Sequence, residues 1–181
     1  CRARAEAIKA ILDRSRTEMR GEGLRGGLVA LINGCNETAP AAAEGDIDEA
    51  VWSSRLPVGS GIMGTVAEEG RSILIRDIAA PDVAVPPANR SLGSNARIKS
   101  LIAVPLLAAG KTIGVLELDS AQSGRFDERD VALLEQIALA VSDAVQREGA
   151  LQLADEKVKR RVEELSLLLE AARSLAASLD P

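Results

Sequence analysis

The sequence predicts an α+β domain followed by a long helix that continues beyond it. Short aliphatic runs, such as residues 28–33 and 112–119, lie between turn residues and indicate strands gathered between flanking helices. From Asp127 to about Leu179 the chain has no proline and a single glycine, Gly149, so one uninterrupted helix is expected. Strands enclosed by helices in this way are typical of an α+β domain built on an antiparallel sheet.

The other elements follow from local patterns along the chain. Residues 1–20 predict an amphipathic helix that ends at the glycine-rich residues 21–27. Residues 34–48 lack periodicity and predict a mobile loop, whereas residues 49–58 predict a second strand. Residues 58–70, VGSGIMGTVAEEG, predict a turn and a short helix that Gly70 ends. Further strands are predicted at residues 72–77, 98–107 and 112–119, and residues 108–111 join the last two strands in a hairpin.

The long helix has a clear predicted start. Asp127 is expected to cap it, and Glu128 and Asp130 suit the positive end of the helix dipole. Phe126 is placed to pack against Val131 as a hydrophobic staple.

Apolar residues along this helix repeat with the 3-4 spacing of a left-handed coiled coil. A helix of roughly 50 residues spans about 75 Å, so its distal half requires a partner helix. Glu148 and Asp155 occupy two consecutive a layers, where like charges repel across the seam of a parallel dimer. These layers predict either a bistable joint or a local splaying of the helices. The predicted dimer seam consists of Leu134, Ile137, Val141, Ala144, Leu151, Val158, Val162, Leu165 and Leu169.

The composition disfavours several classes of function. The net charge is −5, and Trp52 and Phe126 are the only aromatic residues, so binding of nucleic acid is not expected. Histidine is absent, which removes the commonest general base and metal ligand. Two cysteines and the lack of a long apolar run predict a cytoplasmic segment with no membrane contact. Both ends interrupt helical patterns, so the chain is expected to be an excerpt of a larger protein.

Three segments resemble the GAF domain family: LPVGSGIMGTVAEEGRSILIRD at residues 56–77, IKSLIAVPLLAAGKTIGVLELDS at 98–120 and GRFDERDVALLEQIALAVSDAV at 124–145. The resemblance implies an antiparallel sheet of five or six strands with the terminal helices packed on one face, often in a parallel dimer. It also implies a small-molecule pocket on the other face, roofed by residues 78–100. The domains are then an N-terminal helix at 1–20, a GAF domain at 21–147 and a coiled-coil connector at 148–181.

The expected ligand contacts lie in or near this roof. Asn95, Arg97, Ser100 and Asp77 are the candidate contacts, because such groups orient a small anion or nucleotide. An ordinary solvated loop is the alternative. Asp77 and Glu117 lie at strand positions where an acid can face the cavity, although exposure is the commoner outcome. The ligand remains unnamed, and no haem, bilin or metal is expected without histidine.

Catalysis by this segment is not expected. Cys35 is the only interior thiol, and reductases of methionine sulfoxide that resemble GAF domains use several cysteines. The predicted function is a homodimeric sensory domain that relays small-molecule binding to a histidine kinase, nucleotide cyclase, phosphatase or second GAF domain. A ligand-free dimerisation spacer is one alternative. A free methionine sulfoxide reductase is another.

Overall fold

A computed structural model describes residues 24–45, 52–80 and 98–179, together with residues 6, 9, 10 and 13. Side chains of the last helix are described as far as residue 164, apart from those of residues 148, 151 and 152. The strands are β1 (Leu24–Ile32), β2 (Glu37–Gly45), β3 (Leu56–Pro57), β4 (Ile73–Ile75), β5 (Ser100–Ala108) and β6 (Lys111–Ser120). The helices are α1 (Gly61–Glu69) and α2 (Glu128–Leu179).

The six strands form one antiparallel sheet in the order β3-β2-β1-β6-β5-β4. The β5–β6 hairpin is confirmed, with Ala109 and Gly110 both at positive φ, at 48° and 76°. Two positive φ angles are characteristic of the type I′ turn, whose twist matches that of the paired strands. The sheet therefore has the antiparallel architecture that the sequence predicted.

The loop predicted at residues 34–48 is wrong for residues 37–45. Residues 37–45 form β2, which pairs with β1 along its length, and a register shift beside Val29 and Ala30 accommodates Pro40. This alanine-rich segment has no alternating pattern, so its conformation depends on pairing with β1 rather than on local propensity. The strand predicted at 49–58 is wrong for most of its described residues as well, because within residues 52–58 only Leu56 and Pro57 pair while Trp52 and Ser53 are helical.

Alternate residues of the central strands line two apolar layers on opposite faces of the sheet. Leu101, Ala103 and Val115 pack with Ile62 and Val66 of α1 in one buried cluster. The intervening residues face the other side and are completely buried: Ile102, Val104, Leu106, Leu116 and Leu118. Both faces of β5 and β6 are thus covered.

The first half of α2 covers that second face. Leu134, Ala138 and Val141 are buried at helical spacing and lie outside the α1 cluster, which places them against the opposite layer. Leu134 and Val141 were predicted to lie in a dimer seam, and this prediction is wrong because the chain's own core buries both completely. Ile137 and Ala144 are partly buried.

The chain divides into two compact units, Cys1–Ala144 and Val145–Pro181. In the second unit Val158 and Val162 are 61% and 57% exposed, and Asp155 is exposed. The side chains of Glu148, Leu151, Leu165 and Leu169 lie outside the described residues, as does most of the predicted helix at 1–20. From that helix, Lys9 Nζ lies 3.2 Å from Glu44 Oε2 of β2.

The close approach of β1 to β6 predicts the effect of a single methyl group. A Cβ at Gly114 would lie 2.4 Å from the carbonyl oxygen of Ala30 and 2.9 Å from Leu31 Cδ2, so Gly114→Ala must push two paired strands apart. We expect it to lower the free energy of unfolding by about 1–3 kcal/mol, measured by urea denaturation. Gly34→Ala is the matched control, because nothing lies within 4 Å of its Cβ position. Equal stabilities of the two variants would contradict the packing argument.

Candidate functional site

Two carboxylates stand on the α1 face of the central strand β6. Glu117 lies directly between Leu28 of β1 and Ala103 of β5, and Asp119 lies between Gly26 and Leu101. Both acids therefore share the face of the apolar cluster under α1. We call Glu117, Asp119 and the neighbouring Arg25 the acidic floor.

A β-bulge places Arg25 beside the two acids. Leu24 pairs with Ser120 and Gly26 pairs with Asp119, so Arg25 is the extra residue on β1. Its Nη1 lies 3.7 Å from Asp119 Oδ1, and both side chains are largely buried. Across the strands, a Cβ at Gly45 would lie 2.2 Å from the Arg25 carbonyl oxygen, which explains a glycine at φ +95° there. The local backbone thus aims a guanidinium at a buried carboxylate.

The two acids of the floor have different electrostatic surroundings. Burial, together with the nearby charge of Asp119, raises the pKa of Glu117 to about 8. Asp119 is 6% exposed and has Arg25 as its ionic neighbour. Among the described residues, no hydrogen bond or ion pair engages the Glu117 carboxyl group. At neutral pH the floor therefore holds one ion-paired carboxylate and one carboxyl group that favours its protonated form.

The sequence of this region and its fold agree with one known family. The sequence profile of the GAF domain matches residues 1–146. The chain belongs to the GAF domain family. Its sheet and helices form the GAF-like fold that the resemblance implied.

Curated relatives of this GAF domain include an enzyme and a regulator. It is 32% identical over 83 residues to the free methionine-R-sulfoxide reductase of Escherichia coli, covering 46% of each chain. It is 24% identical over 150 residues to the Nif-specific regulatory protein of Herbaspirillum seropedicae, covering 82% of this chain and 28% of that one. The chain therefore spans less than half the length of either relative.

A solved structure extends the likeness to the enzyme. The reductase of the same type from Staphylococcus aureus, solved in complex with its substrate, is 25% identical with a TM-score of 0.58. The match covers 76% of this chain and 83% of that one. We expected that this segment is not an enzyme. That exclusion is wrong, because free methionine-R-sulfoxide reductases have the same fold.

The predicted ligand contacts lie in different surroundings in this GAF domain. Ser100 is corrected: it is completely buried on the α2 face, and its hydroxyl donates to the Gln122 carbonyl oxygen at 2.7 Å. Asp77 Oδ1 accepts a hydrogen bond from the Ala79 amide at 2.9 Å and stabilises a turn. Asn95 and Arg97 lie outside the described residues.

Two members of the acidic floor, Asp119 and Arg25, were not predicted from the sequence. The alternation in Glu117–Leu118–Asp119 carries a signal for Asp119, since acids two residues apart in an aliphatic strand share one face. Arg25 carries no such signal, because the bulge that turns it toward Asp119 depends on the register of two strands. Glu117 was considered from the sequence as an acid that can face the cavity, with exposure as the commoner outcome, and the strand pairing places it partly buried on the α1 face.

The glycine-rich turn before α1 serves backbone geometry, as expected. The Gly59 amide donates to the Gly64 carbonyl oxygen at 2.8 Å, and the Ser60 amide donates to Pro57 at 2.9 Å. A Cβ at Gly64 would lie 2.6 Å from the Pro57 carbonyl oxygen. Gly70, at φ 63°, ends α1 as predicted. The amides of Gly59 and Ser60 therefore donate hydrogen bonds within the turn and are not available to bind an anion.

Polar contacts tie β4 to the first turns of α2. Arg76 Nη2 donates to Glu128 Oε1 at 2.6 Å, and Ser72 Oγ donates to Glu135 Oε1 at 2.6 Å. The predicted cap is confirmed, because Asp127 Oδ1 accepts hydrogen bonds from the backbone amides of residues 129 and 130. These bonds hold the pKa of Asp127 below its usual range. The start of α2 is thus fixed to the edge of the sheet.

Cys35 lies in the exposed turn between β1 and β2, at the opposite end of β1 from Arg25. Its amide donates to Asn33 Oδ1 at 2.8 Å, so the turn is held by local bonds. In the part of the chain that the structure describes, no group of three histidine, cysteine or acidic residues is arranged to bind a metal ion. No helix among the described residues is both long and apolar enough to cross a membrane.

The raised pKa of Glu117 predicts how stability depends on pH. Between about 4.5 and about 8 the folded protein holds a proton on Glu117 that the unfolded chain has lost, so stability falls as the pH rises. Above about pH 8 both states are ionised, and the accumulated loss is about 3–5 kcal/mol. Glu117→Gln removes this loss, so its stability relative to the wild type should grow between those pH values and then stay constant.

Urea denaturation at a series of pH values measures this difference. Glu156→Gln, at an exposed position of α2, is the control and should follow the wild type. Parallel curves for Glu117→Gln and the wild type would show that Glu117 is ionised in the folded protein at neutral pH.

Proposed function

We propose that this GAF domain is a sensor that binds a small molecule through a cationic group held over the acidic floor. The observation that carries the proposal is a partly buried acid, Glu117, that has no ionic partner among the described residues and stands beside a second acid, Asp119. A carboxylate among apolar neighbours is stabilised by a paired cation, so the ammonium or guanidinium group of a ligand would complement Glu117.

Amino acids are the favoured class of ligand. A free amino acid carries an ammonium group, and the relatives named as free methionine-R-sulfoxide reductases act on a free amino acid derivative. The apolar residues around the floor, Leu28, Leu101 and Ala103, suit an aliphatic side chain. Free L-methionine-R-sulfoxide is therefore the first probe to test.

The structure contains a continuous connection from the floor to α2. Asp119 pairs directly with Leu101, and Leu101 pairs with Ile75 of β4. Arg76 follows Ile75 and binds Glu128 in the first turn of α2. A ligand that displaces β6 therefore also biases β4 and the start of the helix, which supports a relay toward a downstream effector. The relationship to a Nif-specific regulatory protein supports such a regulatory setting.

We further propose that the second unit pairs with its copy in a parallel dimer. Val158 and Val162 are apolar, exposed and four residues apart on one helix face. A kinase, cyclase, phosphatase or second GAF domain would then receive the signal from this helix. Glu148 and Asp155 remain the proposed switch layers.

Binding is tested by calorimetric titration with free L-methionine-R-sulfoxide, and with its N-acetyl derivative, which lacks the ammonium group. We expect the free amino acid to bind and to raise the thermal midpoint, because a ligand stabilises the state it binds. Glu117→Gln and Asp119→Asn should weaken binding at least tenfold. Glu68→Gln, at an exposed position of α1, is the control. Equal binding of the acetylated compound would contradict recognition by the floor, and no binding at all would favour the ligand-free spacer.

A reductase is the second candidate function, favoured by the likeness to the reductases of Escherichia coli and Staphylococcus aureus. The same probe tests it when dithiothreitol supplies the two electrons and the release of methionine is measured. Activity that disappears in Cys35→Ser would assign the thiol chemistry to that residue. Binding of the probe without its consumption would favour the sensor.

The proposed dimer is tested by sedimentation equilibrium. Val158→Asp should dissociate the dimer, because it adds two charges to an apolar layer of the seam. Leu153→Asp is the matched control, since Leu153 is 70% exposed but lies outside the seam in the predicted heptad frame. Dissociation by both variants, or by neither, would contradict the proposed seam.

A further inference from the structure

We propose that the turn between β1 and β2 is a site of modification, at which Asn33 loses its side-chain amide through attack by the backbone nitrogen of Gly34. Asn33 is followed by a residue without a side chain, so nothing on that residue shields the carboxamide carbon from its nitrogen. The attack closes a succinimide ring within one chain, and the covalent link itself holds the reacting atoms together. The modification is independent of the proposed ligand.

The carboxamide oxygen of Asn33 is held by two backbone amides. Oδ1 accepts hydrogen bonds from the Cys35 amide at 2.8 Å and from the Glu37 amide at 3.1 Å. Attack on the carboxamide carbon moves negative charge onto this oxygen, so the two donors stabilise the tetrahedral intermediate more than the starting amide. The bonds that hold the turn therefore also form an oxyanion hole for the reaction.

The leaving nitrogen of Asn33 has its own partner. Nδ2 donates a hydrogen bond to Glu37 Oε2 at 3.1 Å, so a carboxylate contacts the group that leaves as ammonia. The Gly34 amide, in contrast, donates no hydrogen bond to any of the described residues. Gly34 is also exposed, so water reaches the ring once it has formed. The attacking, accepting and leaving atoms thus each have the surroundings that the reaction needs.

The reaction balances without an oxidant or a reductant. The Gly34 nitrogen forms a bond to the carboxamide carbon of Asn33, and the proton that it loses passes through solvent to the Glu37 carboxylate. Glu37 gives a proton to Nδ2, the bond between that nitrogen and the carbon breaks, and ammonia leaves. Water then opens the succinimide at either carbonyl group and leaves aspartate or isoaspartate at position 33. Water is consumed and ammonia is released in equal amounts.

Either product disturbs the turn. An aspartate keeps the oxygen that accepts the two amides, but it replaces Nδ2 with an oxygen that the Glu37 carboxylate repels. An isoaspartate adds a methylene group to the main chain, inside the turn that the Asn33 amide closes by donating to the Glu37 carbonyl oxygen at 2.9 Å. The Val58 amide donates to the Asn36 carbonyl oxygen at 3.0 Å and links this turn to the segment before α1. Modification therefore weakens the β1–β2 hairpin and its contact with that segment.

The experiment is incubation of the full chain at neutral pH, followed by tryptic digestion and mass spectrometry of the peptide that spans residues 26–55. We expect Asn33 to be converted about tenfold faster in the folded protein than in the same chain held unfolded in guanidinium chloride, because the oxyanion hole exists only in the fold. Asn36, which precedes Glu37 in the same peptide, is the internal control and should remain unmodified over that period.

Two variants separate the chemistry from the structure of the turn. Glu37→Gln keeps an acceptor for Nδ2 but carries no proton, so it should slow the reaction about tenfold or more. Gly34→Ala should slow it by hindering the attack, and the turn accommodates this change because nothing lies within 4 Å of the Cβ position. Glu156→Gln, at an exposed position of α2, should react as the wild type does. A folded rate no higher than the unfolded rate, or a rate that Glu37→Gln or Gly34→Ala leaves unchanged, would overturn the proposal.

Discussion

The structure depends on the position of β6 at the centre of a sheet that is covered on both faces. β6 pairs with β1 along one side and with β5 along the other, so its backbone groups are satisfied on both sides. Val115 faces the α1 cluster and Leu116 faces the opposite layer, and both are completely buried. A polar side chain in the middle of this strand therefore has apolar neighbours and is stabilised by a specific partner.

This constraint gives the acidic floor its chemistry. Asp119 has Arg25 because an irregularity in β1 turns that side chain inward, at the point where Gly45 permits close approach. Glu117, one step along the same face, lies where the pairing is regular and the neighbours are aliphatic. The contrast between a bulged and a regular position thus distinguishes two acids that look equivalent in the sequence. The proposed cationic ligand would supply the second acid with a partner.

Local signals made part of this fold predictable. The hairpin between β5 and β6, the end of α1 at Gly70 and the cap at Asp127 each depend on a few neighbouring residues, and each follows from the sequence. β2 was missed because alanine-rich residues with a central proline acquire strand conformation only through pairing with β1. Arg25 was missed for a related reason, since a bulge is a property of two strands together. Asn95 and Arg97 were predicted from their place in the roof that the resemblance implies, and they lie outside the described residues.

The long helix shows why a periodic pattern alone cannot identify a partner. A heptad stripe and the core-facing stripe of a domain helix share the same 3-4 spacing over a few turns. In the first unit Leu134 and Val141 belong to this stripe and are buried within the protomer, whereas in the second unit Val158 and Val162 continue it and are exposed. The stripe is therefore buried in the first unit, and in the second unit its described members Val158 and Val162 are exposed, which is where the proposed dimer would form. The acidic layers predicted at Glu148 and Asp155 lie along the helix between the buried members of the stripe and its exposed members. A dimer seam that begins after Asp155 would need no apolar contact at either acid.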